Sequence, residues 1–166
     1  MKKILIILVV VLVAIDQLSK HWVEAALPFH QVVPVIPFFS LYRTHNTGIA
    51  FSMLDWLGPP GLSLITVVII GFMIYLWRGV PGHKQLASLG YALVISGALG
   101  NLIDRVTQGH VIDFFLVHTQ TWAFAVFNVA DSFITVGALC IIVDEVVSSI
   151  SAARPPDNNK GGEPSS

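Results

Sequence analysis

Charged residues are scarce in this sequence. Asp, Glu, Lys and Arg make up only 11% of the 166 residues, against roughly 25% in soluble domains. Hydrophobic residues make up 54%. Nine basic and ten acidic residues cannot cover the surface of a water-soluble domain of this size, and a formal net charge of -1 lacks the basic excess of a nucleic-acid-binding protein. The composition therefore excludes an ordinary soluble enzyme, a disordered chain and a nucleic-acid binder, and it leaves a surface that faces lipid.

Cysteine is almost absent. Cys140 is the single cysteine, so no internal disulfide framework is possible. It lies in the apolar run 136–143, where we expect it to act as a small core or lipid-facing hydrophobe rather than as a catalytic nucleophile.

Long apolar stretches predict four membrane-spanning helices, at about residues 4–24, 61–77, 86–103 and 127–147. The first stretch of about 21 residues would extend about 31 Å, enough for a hydrocarbon core of about 30 Å. Its basic start, Lys2 and Lys3, is also typical of a signal peptide, but no small-residue cleavage site closes it. The predicted fold is an all-α membrane protein of four transmembrane helices with a small extracytoplasmic β-containing loop region, in one domain over residues 1–150.

The basic residues predict the orientation of these helices, because cytoplasmic loops are enriched in Lys and Arg. Six of the nine would lie on one side: Lys2, Lys3, Arg78, Lys84, Arg154 and Lys160. We therefore expect both termini in the cytoplasm, with residues 151–166, rich in Pro, Gly, Asn and Ser, as a disordered cytoplasmic tail.

Two connections would lie on the outer side, residues 25–60 and residues 106–125. Both contain β-branched and aromatic residues typical of strands. Pro34 and Pro37 restrict the first connection to edge strands or short pieces. We expect residues 25–60 to form an outer β-type loop that covers a site rather than an independent domain.

Ionisable residues within or beside the spans require an explanation, because a charge at the bilayer centre costs about 2.5–3.5 kcal/mol on insertion scales. The predicted topology brings six of them to the outer side: Asp16, Lys20, Asp104, Arg105, Asp113 and Asp131. Asp16 and Lys20 have the i,i+4 spacing of a helical ion pair. Asp104 and Arg105 could mark the water boundary or hold the neighbouring loop, and Asn101 shares their helical face.

Asp113 and Asp131 have no basic neighbour in sequence and are flanked by apolar residues. Two aspartates that share a site cannot both ionise cheaply, so such a pair holds one proton near neutral pH. An ionised and a protonated carboxylate together can perform aspartic peptidase chemistry. Helix capping by Asn128 or Asp131 is the structural alternative for this segment.

The third predicted span carries small residues at every fourth position, which lets a neighbouring helix approach closely. These are Ser88, Ala92, Ser96 and Gly100. Asp104 occupies the next position of this stripe, so we expect the stripe to bring helices together and Asp104 to support the polar site.

Five polar blocks occur in order: DQ-x-SK at 16–20, NTG-x-AF at 46–51, G-x-x-GN-x-x-DR at 97–105, V-x-DF at 111–114 and FN-x-ADS at 127–132. In these blocks the chain resembles bacterial lipoprotein signal peptidase (signal peptidase II), from Asp16 to Ser132. The one departure is Ile49, where the family often has Ala.

The resemblance implies a multi-pass enzyme of the bacterial inner membrane with its active site toward the outer leaflet. We expect no cofactor or metal. Its substrates would be diacylglyceryl-modified prolipoproteins, cleaved just before the lipidated cysteine, and its inhibitors would be globomycin-type peptides. Asp113 and Asp131 would form the catalytic dyad. Further residues would line or support the substrate site: Asp16, Lys20, Asn46, Gly48, Asn101, Arg105, Asn128 and Ala130.

Other classes of protein could use some of the same residues. A small transporter or proton-relay protein also places Asp and Lys within the membrane, but no internal repeat is visible. A peptidase with Ser19 or Ser132 and Lys20 is a second alternative, although Ser19 and Lys20 are about 100° apart on a helix. A metallopeptidase would need a ligand motif, and no His-Glu-x-x-His pattern exists; His110 and His118 are expected to be polar contacts of the loop.

Overall fold

The computed structural model describes residues 2–48, 58–119 and 121–152, and four long helices dominate them. The helices are α1 (Lys2–Ala26), α2 (Gly58–Gly79), α3 (Gln85–Gln108) and α4 (Val129–Ala152). Each is long and apolar enough to cross a membrane. The prediction of four spanning helices is therefore confirmed.

The helices differ from the approximate span limits at several points. The third span was expected to end at residue 103, whereas α3 continues to Gln108 and ends where Gly109 turns left-handed with φ 78°. The fourth was expected to begin at residue 127, but Phe127 belongs to a strand and α4 begins only after Asn128. The predicted tail of residues 151–166 differs as well, because residues 151 and 152 complete α4; its remaining residues lie outside the described part.

Helix α3 is the centre of the helical part and packs against the other three helices. The small-residue stripe accounts for this position: Ser88, Ala92, Ser96, Gly100 and Asp104 are all buried. The other three helices expose apolar side chains over most of their surface, as the scarcity of charge predicted. Ile4 on α1, Leu64 on α2 and Val147 on α4 are 70%, 65% and 56% exposed.

Helices α3 and α4 approach each other backbone to backbone at Gly90 and Gly137. A Cβ atom at either glycine would lie 2.6 Å from the carbonyl oxygen of the other. Any side chain there would force the helices apart, so these glycines set the spacing that brings the start of α4 against α3.

The two predicted β-type connections pair with each other to form one antiparallel sheet. Its strands are β1 (Val32–Ile36), β2 (Phe39–Asn46), β3 (Val111–His118) and β4 (Ala123–Phe127), in the order β1-β2-β3-β4. Pro34 lies in β1, which is an edge strand, as expected of a proline. Ile49, the departure from the family pattern, lies outside the described residues.

The sheet lies against the end of α1. Val23 of α1 forms a buried cluster with Ile112 and Phe114 of β3. Helices α1 and α3 end, and α4 begins, at this sheet, and we call this side of the molecule the sheet end. The polar residues singled out in the sequence converge here.

Candidate active site

The sheet end contains a group of buried polar side chains contributed by α1, α3, β3 and the start of α4. The exposed fraction of each is 6% or less: Asp16, Lys20, Asn101, Asp104, Asp113 and Asn128. Charges and amides at this depth require partners, and the hydrogen bonds described below supply them.

The carboxylate of Asp113 lies on β3, whose register places it opposite Thr44 of β2. One oxygen accepts a hydrogen bond from Asn128 Nδ2 at 2.7 Å, and the other accepts from Asn46 Nδ2 at 2.9 Å. Both donors are neutral amides, so Asp113 is held in place without being neutralised.

Asp131 lies in the first turn of α4. Its carboxylate accepts hydrogen bonds from Asn101 Nδ2 at 2.8 Å and from the backbone amide of Asn128 at 3.1 Å. Asn128 thus donates to both carboxylates, through its side chain to Asp113 and through its backbone to Asp131. Among the described residues, neither carboxylate has a Lys or Arg nitrogen within 4.0 Å.

The capping alternative is confirmed for this segment, and it coexists with the paired carboxylates. Asn128 Oδ1 accepts from the backbone amide of Asp131 at 3.0 Å, while Asp131 accepts from the backbone amide of Asn128. This reciprocal pair is a capping box in which Asn and Asp take the two roles.

Lys20 is the cation on which the surrounding network is built. Its ammonium lies 2.8 Å from Asp16 Oδ2, 2.7 Å from Asp104 Oδ2 and 3.0 Å from Asn101 Oδ1. The predicted Asp16–Lys20 pair is confirmed, and all three donors of the ammonium are used. Because Asn101 Oδ1 also accepts from Asn128 Nδ2 at 3.1 Å, the amide of Asn101 is oriented with its NH₂ group toward Asp131.

Asp16 and Asp104 extend this network to the backbone of other elements. Asp16 Oδ1 accepts from the amide of Ala130 at 2.9 Å, which ties α1 to the start of α4. Asp104 Oδ2 accepts from the amide of Ile112 at 3.3 Å. The interpretation that Asp104 holds the neighbouring loop is therefore confirmed, and its role as a marker of the water boundary is wrong because it is buried.

Gln17 is a member of the network that the sequence analysis did not select. Its Nε2 donates to Asp104 Oδ1 at 2.8 Å and to the carbonyl oxygen of Gly100 at 3.2 Å. The signal was available, because an amide inside an apolar helix needs partners as much as a charge does.

The electrostatic balance of the site depends on how many of its carboxylates ionise. The guanidinium of Arg105 interacts electrostatically with the carboxylates of Asp104, Asp113 and Asp131. Its Nε atom is buried without a hydrogen-bond partner among the described residues. The pKa of Asp113 is raised to about 6, chiefly by burial and also by the charge of Asp131, while the hydrogen bonds from Asn46 and Asn128 oppose the change. One proton on this pair therefore lowers the electrostatic cost of the site.

Asn46 and Gly48 form a turn that also belongs to the site. Asn46 Oδ1 accepts from the amide of Gly48 at 2.8 Å, which leaves its NH₂ group for Asp113. Gly48 has φ 101°, and a Cβ atom there would overlap the side chain of Leu62 on α2. The predicted need for glycine thus has a physical cause in the packing of this turn on α2.

The serine–lysine alternative does not fit the geometry. Ser19 Oγ donates to the carbonyl oxygen of Asp16 at 2.6 Å, and Ser132 Oγ donates to that of Asn128 at 3.1 Å. Lys20 is already bound by two carboxylates, so neither serine has it as a base. His118 contacts Ser40 at 2.8 Å, consistent with the polar loop contact expected of it.

These features define a class of protein, a multi-pass membrane enzyme with a pair of aspartates, one of them buried, that asparagine side chains link where its helices meet a small sheet. Two solved structures share the fold, each described as a bacterial membrane enzyme structure obtained by the in meso method. The first superposes with a TM-score of 0.76 at 25% sequence identity, and the match covers 93% of this chain and 94% of the chain in that structure. The second has a TM-score of 0.74 at 27% sequence identity, and the match covers 87% of this chain and 93% of the chain in that structure.

Sequence comparison identifies the family. The family described as "Signal peptidase (SPase) II" matches residues 8–147, and the chain belongs to this family. The lipoprotein signal peptidase of Mesorhizobium japonicum is 49% identical over 154 residues, which cover 93% of this chain and 90% of that protein. That of Sinorhizobium fredii is 51% identical over 146 residues, covering 88% and 87%. The predicted family is confirmed, the protein is a peptidase, and the transporter alternative is not favoured.

Proposed function

We propose that this protein is an aspartic endopeptidase that removes signal peptides from diacylglyceryl-modified prolipoproteins, cleaving just before the lipidated cysteine. The substrate class is suggested by relatives named lipoprotein signal peptidase that align over most of the chain. The observation that carries the catalytic type is the pair Asp113 and Asp131, which share Asn128 as hydrogen-bond donor.

The two carboxylates would have different roles. Asp113, whose pKa is raised to about 6, would hold the shared proton and donate it to the oxygen of the scissile carbonyl. Asp131, which accepts two N–H bonds at the start of α4, would be the ionised partner and would take a proton from the attacking water. The water oxygen would then bond to the carbonyl carbon. Collapse of the tetrahedral intermediate would break the C–N bond as Asp131 passes the proton taken from water to the leaving amine and a hydroxyl of the intermediate returns a proton to Asp113.

A mostly apolar groove of about 370 Å³ supports a membrane-embedded substrate. It is lined by Phe127, Asp131, Ser132, Thr135 and Val136. Asp131 would therefore meet a peptide that approaches along the apolar face of α4, as the hydrophobic part of a lipidated precursor would. Surrounding membrane lipids would share this face, and globomycin-type inhibitors would compete for the groove.

We also propose the arrangement in the cell that the distribution of Lys and Arg predicts. The chain would be a single membrane domain over residues 1–150 of the bacterial cytoplasmic membrane, with both termini in the cytoplasm. The sheet end would then lie toward the outer leaflet, where residues 25–60 would cover the dyad.

A mobility-shift assay on a lipidated precursor tests the proposal. Asp113→Asn and Asp131→Asn should each abolish cleavage in protein that still inserts and folds, because each removes one of the two proton-transfer groups. Glu145→Gln is the matched control, since it removes a carboxylate that is 71% exposed at the far end of α4. Near-normal turnover by either folded aspartate variant would eliminate the dyad mechanism.

A further inference from the structure

A second cluster of ionisable side chains lies at the sheet end and contains neither dyad aspartate. Glu24 comes from the last turns of α1, His45 from β2, and His110 from the turn between α3 and β3. Each offers one ligand atom, and these atoms all lie within 4.8 Å of one another. We propose that Glu24, His45 and His110 form a binding site for a divalent transition-metal ion, with zinc as the ion that fits best.

The polar atoms of this cluster lack the partners that buried groups normally have. The Nε2 atoms of His45 and His110 are both buried without a hydrogen-bond partner among the described residues. Glu24 Oε1 lies 4.0 Å from His45 Nε2, too far for a hydrogen bond. Because buried polar atoms are nearly always paired, two such nitrogens beside a carboxylate indicate a ligand that they share.

The chemistry of the three groups selects the class of ion. Two imidazoles and one carboxylate are a ligand set that zinc accepts, with a fourth position left for water, whereas calcium and magnesium prefer oxygen alone. Tetrahedral zinc with bonds of about 2.1 Å places its ligand atoms about 3.4 Å apart. The rings of His45 and His110 are stacked with their centroids 3.8 Å apart, so one ring must turn before nitrogens of both can face a single ion. The side chains of His45 and Glu24 are 33% and 35% exposed, which leaves room for this movement.

One neighbour opposes the ion. Arg43 donates from Nη1 to the backbone oxygen of Glu24 at 2.6 Å and lies over the ring of Phe29, so its charge is close to the site. The carboxylate of Glu24 offsets this charge.

A bound metal ion would link three segments of the chain that lie next to Asp113. His45 pairs in register with Ile112, next to Asp113, and precedes Asn46, which donates to Asp113. The ion would therefore join the end of α1 to β2 and to the start of β3. It would stabilise the site without taking part in peptide cleavage, and the inference does not depend on the proposed catalytic mechanism.

The test uses the full-length enzyme in detergent with an affinity tag that contains no histidine, stripped of metal with EDTA. Calorimetric titration with Zn²⁺ should give one ion per chain, and thermal unfolding should shift to higher temperature as Zn²⁺ is added. Co²⁺ should give the visible absorption of a four-coordinate site. We expect each of three substitutions to weaken Zn²⁺ binding more than about 100-fold: His45→Ala, His110→Ala and Glu24→Gln. Loss of a group that only hydrogen-bonds to a metal ligand already lowers metal affinity by about 10–100-fold.

His83→Ala is the matched control, because His83 is exposed in the turn between α2 and α3 and its loss should leave binding unchanged. Glu24→Gln preserves the shape of the side chain, so Zn²⁺ binding to this variant still tests the proposal if a histidine variant fails to fold. Absence of Zn²⁺ binding to the wild-type enzyme, or binding that survives in folded Glu24→Gln, would overturn the proposal. The proposal would also be overturned if His83→Ala lost as much Zn²⁺ affinity as the three site variants.

Discussion

Replacing Asp113 by asparagine should change how the stability of the enzyme depends on pH. Burial raises the pKa of Asp113 from the ordinary 3.8 to about 6, and a difference of about two pH units is worth about 3 kcal/mol. The folded protein therefore holds this proton more tightly than the unfolded chain does. The resulting loss of stability is absent below about pH 3.8, grows between 3.8 and 6, and is complete above about pH 6.

Asparagine at position 113 removes this dependence and adds a constant cost. Both oxygens of Asp113 accept from amide NH₂ groups, those of Asn46 and Asn128. An NH₂ group in place of one oxygen would face another donor, at a cost of about 1–3 kcal/mol. Neither partner can simply turn over, because their oxygens already accept from the amides of Gly48 and Asp131.

The variant should thus be less stable than the wild type at pH 4 and should recover or surpass it at pH 8. With about 2–4 °C per kcal/mol for a protein of this size, the difference between the two unfolding temperatures should move by about 6–12 °C across this range. Thermal unfolding in detergent, followed by tryptophan fluorescence from pH 4 to 8, measures it, with Glu145→Gln as the control for loss of one carboxylate. Parallel curves for the wild type and Asp113→Asn would refute the reasoning.

Three further substitutions test the supporting structure. Lys20→Met should destabilise the protein by about 3–5 kcal/mol, because it leaves two buried aspartates without their cation; unfolding midpoints measure this, and a loss below 1 kcal/mol would contradict it. Gly90→Ala should lower the unfolding temperature and the cleavage rate by forcing α3 from α4, whereas Gly71→Ala, with open space around it, should change neither. Asn46→Ala should weaken precursor processing strongly in steady-state kinetics, because Asp113 loses one of its two donors; an unchanged rate in folded protein would leave this segment as a connector.

The features that the sequence predicted correctly depend on local geometry. Asp16 and Lys20 meet because residues four apart always share a helical face. The small-residue stripe of α3 is buried for the same reason, since its period matches the helix. Helix α4 begins two residues after the expected start of the fourth span, because Phe127 is apolar whether it lies in a strand or a helix. Hydropathy does not separate a strand from the helix that follows it. Asn128 was the better boundary signal, because its side chain caps the helix.

The contacts that the sequence could not predict depend on how distant segments align. Glu24 and His45 are 21 residues apart, and His110 follows 65 residues later. Their meeting requires the antiparallel register of β2 on β3 and the end of α1 at the same place, none of which hydrophobic periodicity determines. The same holds for Asn128, which the sequence marked as a cap but whose second role, as donor to Asp113, exists only once β3 lies beside α4.

The use of asparagine around the dyad has a consequence for its charge. A lysine or arginine in the place of Asn128 would bind both carboxylates more strongly, but it would also favour two negative charges and remove the shared proton. Asparagine donates N–H groups without adding charge, so it fixes the geometry and leaves the proton in place. Lys20 contacts Asp131 only through Asn101, while its own charge is balanced by Asp16 and Asp104. The site thus separates the charges that hold the helices together from the pair of carboxylates that must keep one proton between them.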